Sequence, residues 1–149
     1  MIYIADKLNA YKLKVQDGKV YDPVRNKFVS LTPEEDVRQR MILYLLQEMK
    51  VPADRIVVER MLSGFGVTGS KKRIDIGIIQ KSGQLETVVE CKAYSIRYSE
   101  APFQQAIDYV RALKVKIYIV TDGDYCECYC YDDKMDQFVK MDWIPGKDD

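Results

Sequence analysis

Two runs of β-type residues, 73–80 (RIDIGIIQ) and 85–92 (LETVVECK), lie on either side of Ser82-Gly83. Apolar alternation around a turn dipeptide restricts this stretch to a β-hairpin. A symmetric fold about Ser82-Gly83 as a two-residue turn places Asp75 opposite Glu90. Side chains alternate along a strand, so Glu90 and Lys92 share one face while Val89, Cys91 and Ala93 take the other. On the first strand Ile74, Ile76 and Ile78 are expected to point away from Asp75. Carboxylates that oppose each other in a sheet repel and destabilise it, the more so when partly buried. A divalent cation would offset that repulsion, and hard oxygen ligands suit Mg²⁺ or Mn²⁺. Lys92 would then hold a water or stabilise charge developing on a phosphate. The other reading is a solvated strand face with an ordinary Lys–Glu pair, which contributes little. The hairpin alone fits both.

Composition narrows the chemistry. Histidine is absent, which removes His-based triads, imidazole general bases and histidine zinc sites. The 23 basic and 23 acidic side chains cancel, so nucleic-acid contact would need local patches, a metal or a partner rather than a general basic surplus. With 149 residues, 47% of them hydrophobic, the chain is expected to fold as one domain, 1–149. No apolar stretch reaches the ~18 residues of a membrane helix, and MIYIADKLNA is too short and polar for a signal peptide. A cytoplasmic location without membrane contact is therefore expected. Cys126, Cys128 and Cys130 alternate with Glu127 and Tyr129, which in a strand aligns three sulfurs on one face. Their spacing lacks the CxxC of zinc sites, so they read as small buried apolar side chains.

Along the chain, 12–22 alternates around Asp17-Gly18, a hairpin signal. Thr32 is a candidate helix cap before Pro33 and three acidic residues. The helix should run to about Lys50 with Val37, Met41, Tyr44, Leu45 and Met49 inward, and Val51-Pro52 should stop it. Strands are expected over 55–61, 73–80 and 85–92, and a second helix over 100–113 with Phe103, Ala106, Ile107, Val110 and Leu113 inward. The run KVKIYIVT reads as a buried strand, Asp122-Gly123 as a turn, then YCECYCY and a last strand over 136–142. This order gives a mixed α/β (α+β) domain.

The spacing D-x14-E-C-K, with LTPEEDVRQ ahead of it, RIDIGII and VVECKAY as paired strands, Gln105 and Tyr109 in QAIDY, and IYIVTDG after them, resembles the PD-(D/E)XK nucleases. In detail it is similar to the N-terminal nuclease domain of type I restriction enzyme R subunits, over roughly 31–131. The resemblance implies a restriction-endonuclease-like core: a central mixed sheet flanked by helices, here with an N-terminal β-hairpin and a C-terminal β extension. It also implies a Mg²⁺-dependent (or Mn²⁺-dependent) deoxyribonuclease acting on DNA. Asp75 and Glu90 would be metal ligands with the main-chain carbonyl of Cys91, and Lys92 the catalytic lysine. A glutamate of the first helix would reach the metal or its waters. Glu34, which shares a stripe with Arg38, Met41 and Leu45, is preferred to Glu35, although both also suit a helix N-terminus by charge alone.

Gln105 and Tyr109 would face the carboxylates or DNA, although an i,i+4 polar pair on a helix flank also arises by chance. Lys71, Lys72 and Arg73 would touch phosphates, or form merely a charged loop end. Glu59 is a weaker candidate. The sequence departs from the family in two places. Ile74 stands where the superfamily name has proline, and the sequence ends where a type I subunit would continue into its helicase motor. The restriction role is therefore not expected to carry over. The competing functions are a catalytically silent nucleic-acid- or protein-binding module, and a nuclease that works only with a partner such as a helicase. A homodimer is also expected of many such enzymes.

Overall fold

The computed structural model describes residues 1–96, 107, 111 and 113–144. Its N-terminal part opens with β1 (Ile2–Tyr3) and a short helix α1 (Ala5–Asn9). A three-stranded antiparallel sheet follows: β2 (Val15–Gln16), β3 (Lys19–Asp22) and β4 (Lys27–Ser30). The β2–β3 turn holds Asp17 and Gly18 at φ 52° and 73°, the two positive values a tight hairpin demands and the reason Asp-Gly is favoured there. Strand β4 adds to the expected hairpin, as β1 and α1 add to the start of the chain.

Helix α2 spans Pro33–Gln47. The Thr32 hydroxyl accepts the Glu35 N–H at 3.0 Å, and proline at the first position has no N–H to leave orphaned. The helix ends three residues before the expected Lys50. Lys50 takes φ 58° and the Val51 N–H donates to the Leu45 carbonyl at 2.9 Å, closing the last turn before Pro52.

The remaining strands are β5 (Ile56–Met61), β6 (Arg73–Ile79), β7 (Leu85–Cys91), β8 (Ile117–Thr121), β9 (Tyr125–Asp132) and β10 (Gln137–Met141). They form a central mixed sheet in the order β1-β9-β8-β7-β6-β5, with β10 beside β1 on β9. β7 and β8 run parallel and the other neighbours antiparallel. The fold is therefore mixed α+β. The expected second helix falls largely outside the described residues. Of its inward residues, Ile107 and Leu113 are described and pack half-buried against the sheet. Among the described residues no helix is long and apolar enough to cross a membrane.

Two apolar layers sandwich the sheet. On one side Met41, Ile42 and Leu45 of α2 and Leu8 of α1 meet Ile76, Val89, Ile119, Cys126 and Cys128. On the other, Val57, Leu85, Val88, Tyr118 and Val120 surround Leu62 and Ile96. The cysteines are free, and Cys126 and Cys128 serve as the small core residues their spacing indicates. Ile74 corrects the simple alternation. Ile76 and Ile78 lie in the layer under α2, but Ile74 packs in the opposite layer; the β5–β6 ladder is interrupted between these residues, where Glu59 takes φ 53°.

Gly77 carries no side chain because three neighbours fill its place. A Cβ there would meet Ile74 Cδ1 at 2.8 Å, Leu85 Cδ1 at 2.8 Å and Val57 Cγ2 at 2.9 Å. Gly77→Ala is expected to lower unfolding stability by about 1–3 kcal/mol through overpacking, measured by urea denaturation. An unchanged midpoint would show that the layer has slack.

Candidate active site

The β6–β7 ladder is regular from Ile78↔Thr87 to Ile76↔Val89, and the same register carried one step further would set Asp75 opposite Glu90. The turn itself is not the symmetric two-residue one. Residues 81–83 form the loop, Gly83 has φ 88°, and Ile79 pairs with Leu85. A bulge between Ile78 and Ile79 absorbs the extra residue and restores the register toward the site.

Beyond Ile76↔Val89 the strands are bridged by a side chain. Asp75 Oδ2 accepts the Cys91 N–H at 2.7 Å, a bond that a backbone carbonyl would otherwise make. Burial, followed by the nearby Asp75 charge, pushes the Glu90 carboxyl up to about 9. The raised value keeps a proton on Glu90 at neutral pH, which relieves the repulsion between the two carboxyls. Glu34 at the start of α2 also lies close to Asp75. Burial and the Asp75 charge raise Glu34, while Arg38 and Lys92 oppose the rise. Lys92 is half-buried just after β7; its ammonium charge acts on both Glu34 and Glu90, and its N–H donates to the Thr121 carbonyl at 2.8 Å. All this lies at the C-terminal ends of the parallel pair β7–β8, where open sheets commonly bind ligands.

Residues 33–145 match the family described as the type I restriction enzyme R protein N terminus. The chain belongs to that family. No curated protein matches the sequence. The family region takes in α2, all of β5 to β10, and every side chain named around Asp75.

Within this type I R-protein N-terminal region, the structure brings Asp75, Glu90, Lys92 and Glu34 together. Glu35 stands beside them but turns inward: it binds Arg38 at 3.0 Å, Arg25 at 3.2 Å and Gln39 at 3.1 Å. Lys71, Lys72 and Arg73 are exposed where the chain enters β6. Gln105 and Tyr109 lie outside the described residues.

The residue that sequence reasoning missed is Arg38. Its guanidinium, 4% exposed, reaches Glu35 at 3.0 Å, Glu59 at 3.1 Å, Asp75 at 3.2 Å and Glu34 at 3.4 Å. Burial works against its charge, but Glu35, Asp75 and Glu59 outweigh that and raise its pKa. Behind it Arg25 binds Asp22 at 2.7 Å and Glu59 at 3.4 Å, and Gln39 donates to Asp22 at 2.9 Å. Burial of Asp22 alone would raise its carboxyl; these hydrogen bonds hold it below the usual range. The signal was a cation in the apolar stripe of α2, between Glu34 and Met41, where a charge needs partners. The repulsion expected at Asp75 is thus met by Arg38 and by the proton on Glu90.

Among the described residues no three acidic or thiol side chains form a ready cation cage. The donor chemistry nevertheless fits a hard divalent ion. Mg²⁺ commonly takes one or two carboxylates and keeps its waters, and the Asp75–Glu90 contact already needs positive charge, supplied here by a proton.

That proton sets a pH dependence. In an unfolded chain Glu90 would titrate near about 4.3; in the fold it titrates at about 9. Its contribution to stability is fully present below the unfolded value and is lost as pH rises toward 9. Metal-free protein should lose stability over that window, and Glu90→Gln should flatten the slope. Urea midpoints from pH 5 to about 9 test this; parallel curves for the two proteins would refute it.

Proposed function

We propose that this chain is a divalent-metal-dependent deoxyribonuclease with the restriction-endonuclease-like core of the PD-(D/E)XK enzymes. The reading rests on one observation: the carboxyls of Asp75 and Glu90 lie close together just past the last paired residues of β6 and β7, with the Lys92 charge acting on Glu90. Asp75, Glu90 and the main-chain carbonyl of Cys91 would hold Mg²⁺ or Mn²⁺. The ion, once bound, supplies Lewis-acid polarisation of a phosphate and a more acidic water.

The chain's own groups do the rest. Asp75 is fixed by the Cys91 N–H, so one carboxylate oxygen keeps its aim. Glu90 would have to lose its proton to serve as a ligand, so metal affinity is expected to rise with pH. Lys92 stands where it can orient a water or stabilise the developing phosphorane charge. Glu34 reaches the same space from α2 and would hold a metal-bound water. Lys71, Lys72 and Arg73 would contact the DNA backbone on the approach to β6.

A second reading is a catalytically silent binding module. Arg38 favours it, because its guanidinium sits on Asp75 and partly replaces a metal's charge. Calorimetry with Mn²⁺ separates the two. Wild type should bind the ion and release protons as it does so, and Asp75→Asn should not bind. Absence of binding by wild type at millimolar Mn²⁺ would leave only the module.

A further inference from the structure

The sheet β2-β3-β4 precedes the matched family region, and the cutting chemistry makes no use of it. Its composition is unlike the rest of a neutral chain. Residues 11–31 hold Lys12, Lys14, Lys19, Arg25 and Lys27 against only Asp17 and Asp22. Asp22 is buried and committed to Arg25, so the surface is left with four lysines and Asp17. Lys12, Lys14, Lys19 and Lys27 are all exposed, and among the described residues none of them makes an ion pair.

Val20 and Asp22 turn inward toward α2, so alternation puts Lys19 and Tyr21 on the outer face. Register places Ser30 and Phe28 beside them. Lys14 lies over Tyr21 at 5.1 Å and Phe28 at 5.7 Å, which fixes its long side chain on that face. Lys27, at the start of β4, instead lines a cleft of about 450 Å³ together with Arg38, Glu34 and Glu59. The lysines thus run from the outer face of the sheet to the edge of the site. Asp22 of β3 accepts a buried hydrogen bond from Gln39 of α2, and Arg25 after β3 binds both Asp22 and Glu35 of α2, which ties the sheet to the helix.

We propose that this sheet is a backbone-binding platform for duplex DNA, delivering phosphates to the Asp75 site; the proposal rests on the nuclease reading. Unpaired lysines recognise phosphate without base sequence and supply affinity through counterion release. A duplex suits the surface better than a single strand. Tyr21 and Phe28 are half-buried, packed edge to face at 5.4 Å and overlain by Lys14, so less ring surface is left for base stacking than a single-strand platform uses.

The test is fluorescence anisotropy with a labelled short duplex over a salt series, without metal so that nothing is cut. Full-length wild type should bind. Lys12→Gln/Lys14→Gln/Lys19→Gln/Lys27→Gln should bind about tenfold or more weakly at low salt, with a log K against log salt slope shallower by about 3. An unchanged melting temperature would show that the loss is one of contacts, and Lys12→Glu/Lys19→Glu should also weaken binding. Equal affinity and slope in wild type and the fourfold variant, or no binding by wild type, would overturn the platform. Cleavage discriminates the two readings. A wild type that binds through these lysines but cuts nothing in Mn²⁺ keeps the platform and removes the nuclease. A fourfold variant that cuts dilute duplex as fast as wild type does the reverse.

Discussion

Lys92→Ala is expected to lose up to about 10³-fold in Mn²⁺-dependent DNA cleavage while still binding the ion. The figure is the upper end of what removal of one fixed charge-stabilising donor costs. The reasoning is electrostatic. A phosphoryl centre under attack gains negative charge, and two carboxylates near it, Asp75 and Glu90, can only make that worse. Lys92 is the ammonium whose charge acts on both Glu90 and Glu34. Alanine removes that charge and leaves the carboxylates and their ion. Because Lys92 holds Glu90 and Glu34 down, its loss should also push both upward and shift metal binding to higher pH. The measurements are single-turnover cleavage of duplex DNA and Mn²⁺ calorimetry at two pH values. Equal cutting by wild type and variant would remove Lys92 from the mechanism. Lost metal binding would recast it as a structural counter-ion.

The parts legible in the sequence are those encoded over short distances. Thr32-Pro33 and three acidic residues mark a helix start because capping is a contact within one turn. The Asp75–Glu90 encounter was readable because a hairpin's register follows from the place of its turn. It survived an error in that turn only because the bulge at Ile78/Ile79 corrected the count. Strand β1 and helix α1 were not readable. Ile2 and Tyr3 are extended because the edge of β9 receives them, and Ile4 and Ala5 donate to the Asp124 carbonyl. The displacement of Ile74 likewise accompanies the break in the β5–β6 ladder at Glu59, which alternation does not encode. Least readable was the charge network, since its members come from β3, α2, β5 and β6. Only Arg38 left a trace, as a cation where the stripe of α2 calls for an apolar residue.

Arg38→Met is expected to cost about 3–5 kcal/mol of unfolding stability, the usual penalty for stripping a buried charge of its partner. Methionine fills much of the volume, so the loss is electrostatic more than a cavity. Four carboxylates depend on this one guanidinium, and they do so unequally. Glu34 and Glu59 are open to water, with side chains 49% and 41% exposed, and can be rehydrated. Glu35 and Asp75, at 9% and 15%, cannot, so they should account for most of the penalty. Arg25 still holds Glu35 at 3.2 Å, which leaves Asp75 as the group most exposed to the change. A divalent cation at Asp75 and Glu90 would then return part of what was lost. Urea denaturation with and without Mn²⁺ should show a larger metal-induced gain for Arg38→Met than for wild type. A cost below about 1 kcal/mol, the scale of a surface pair, would mean that water reaches the cluster and that Arg38 is not the charge on which the site is built.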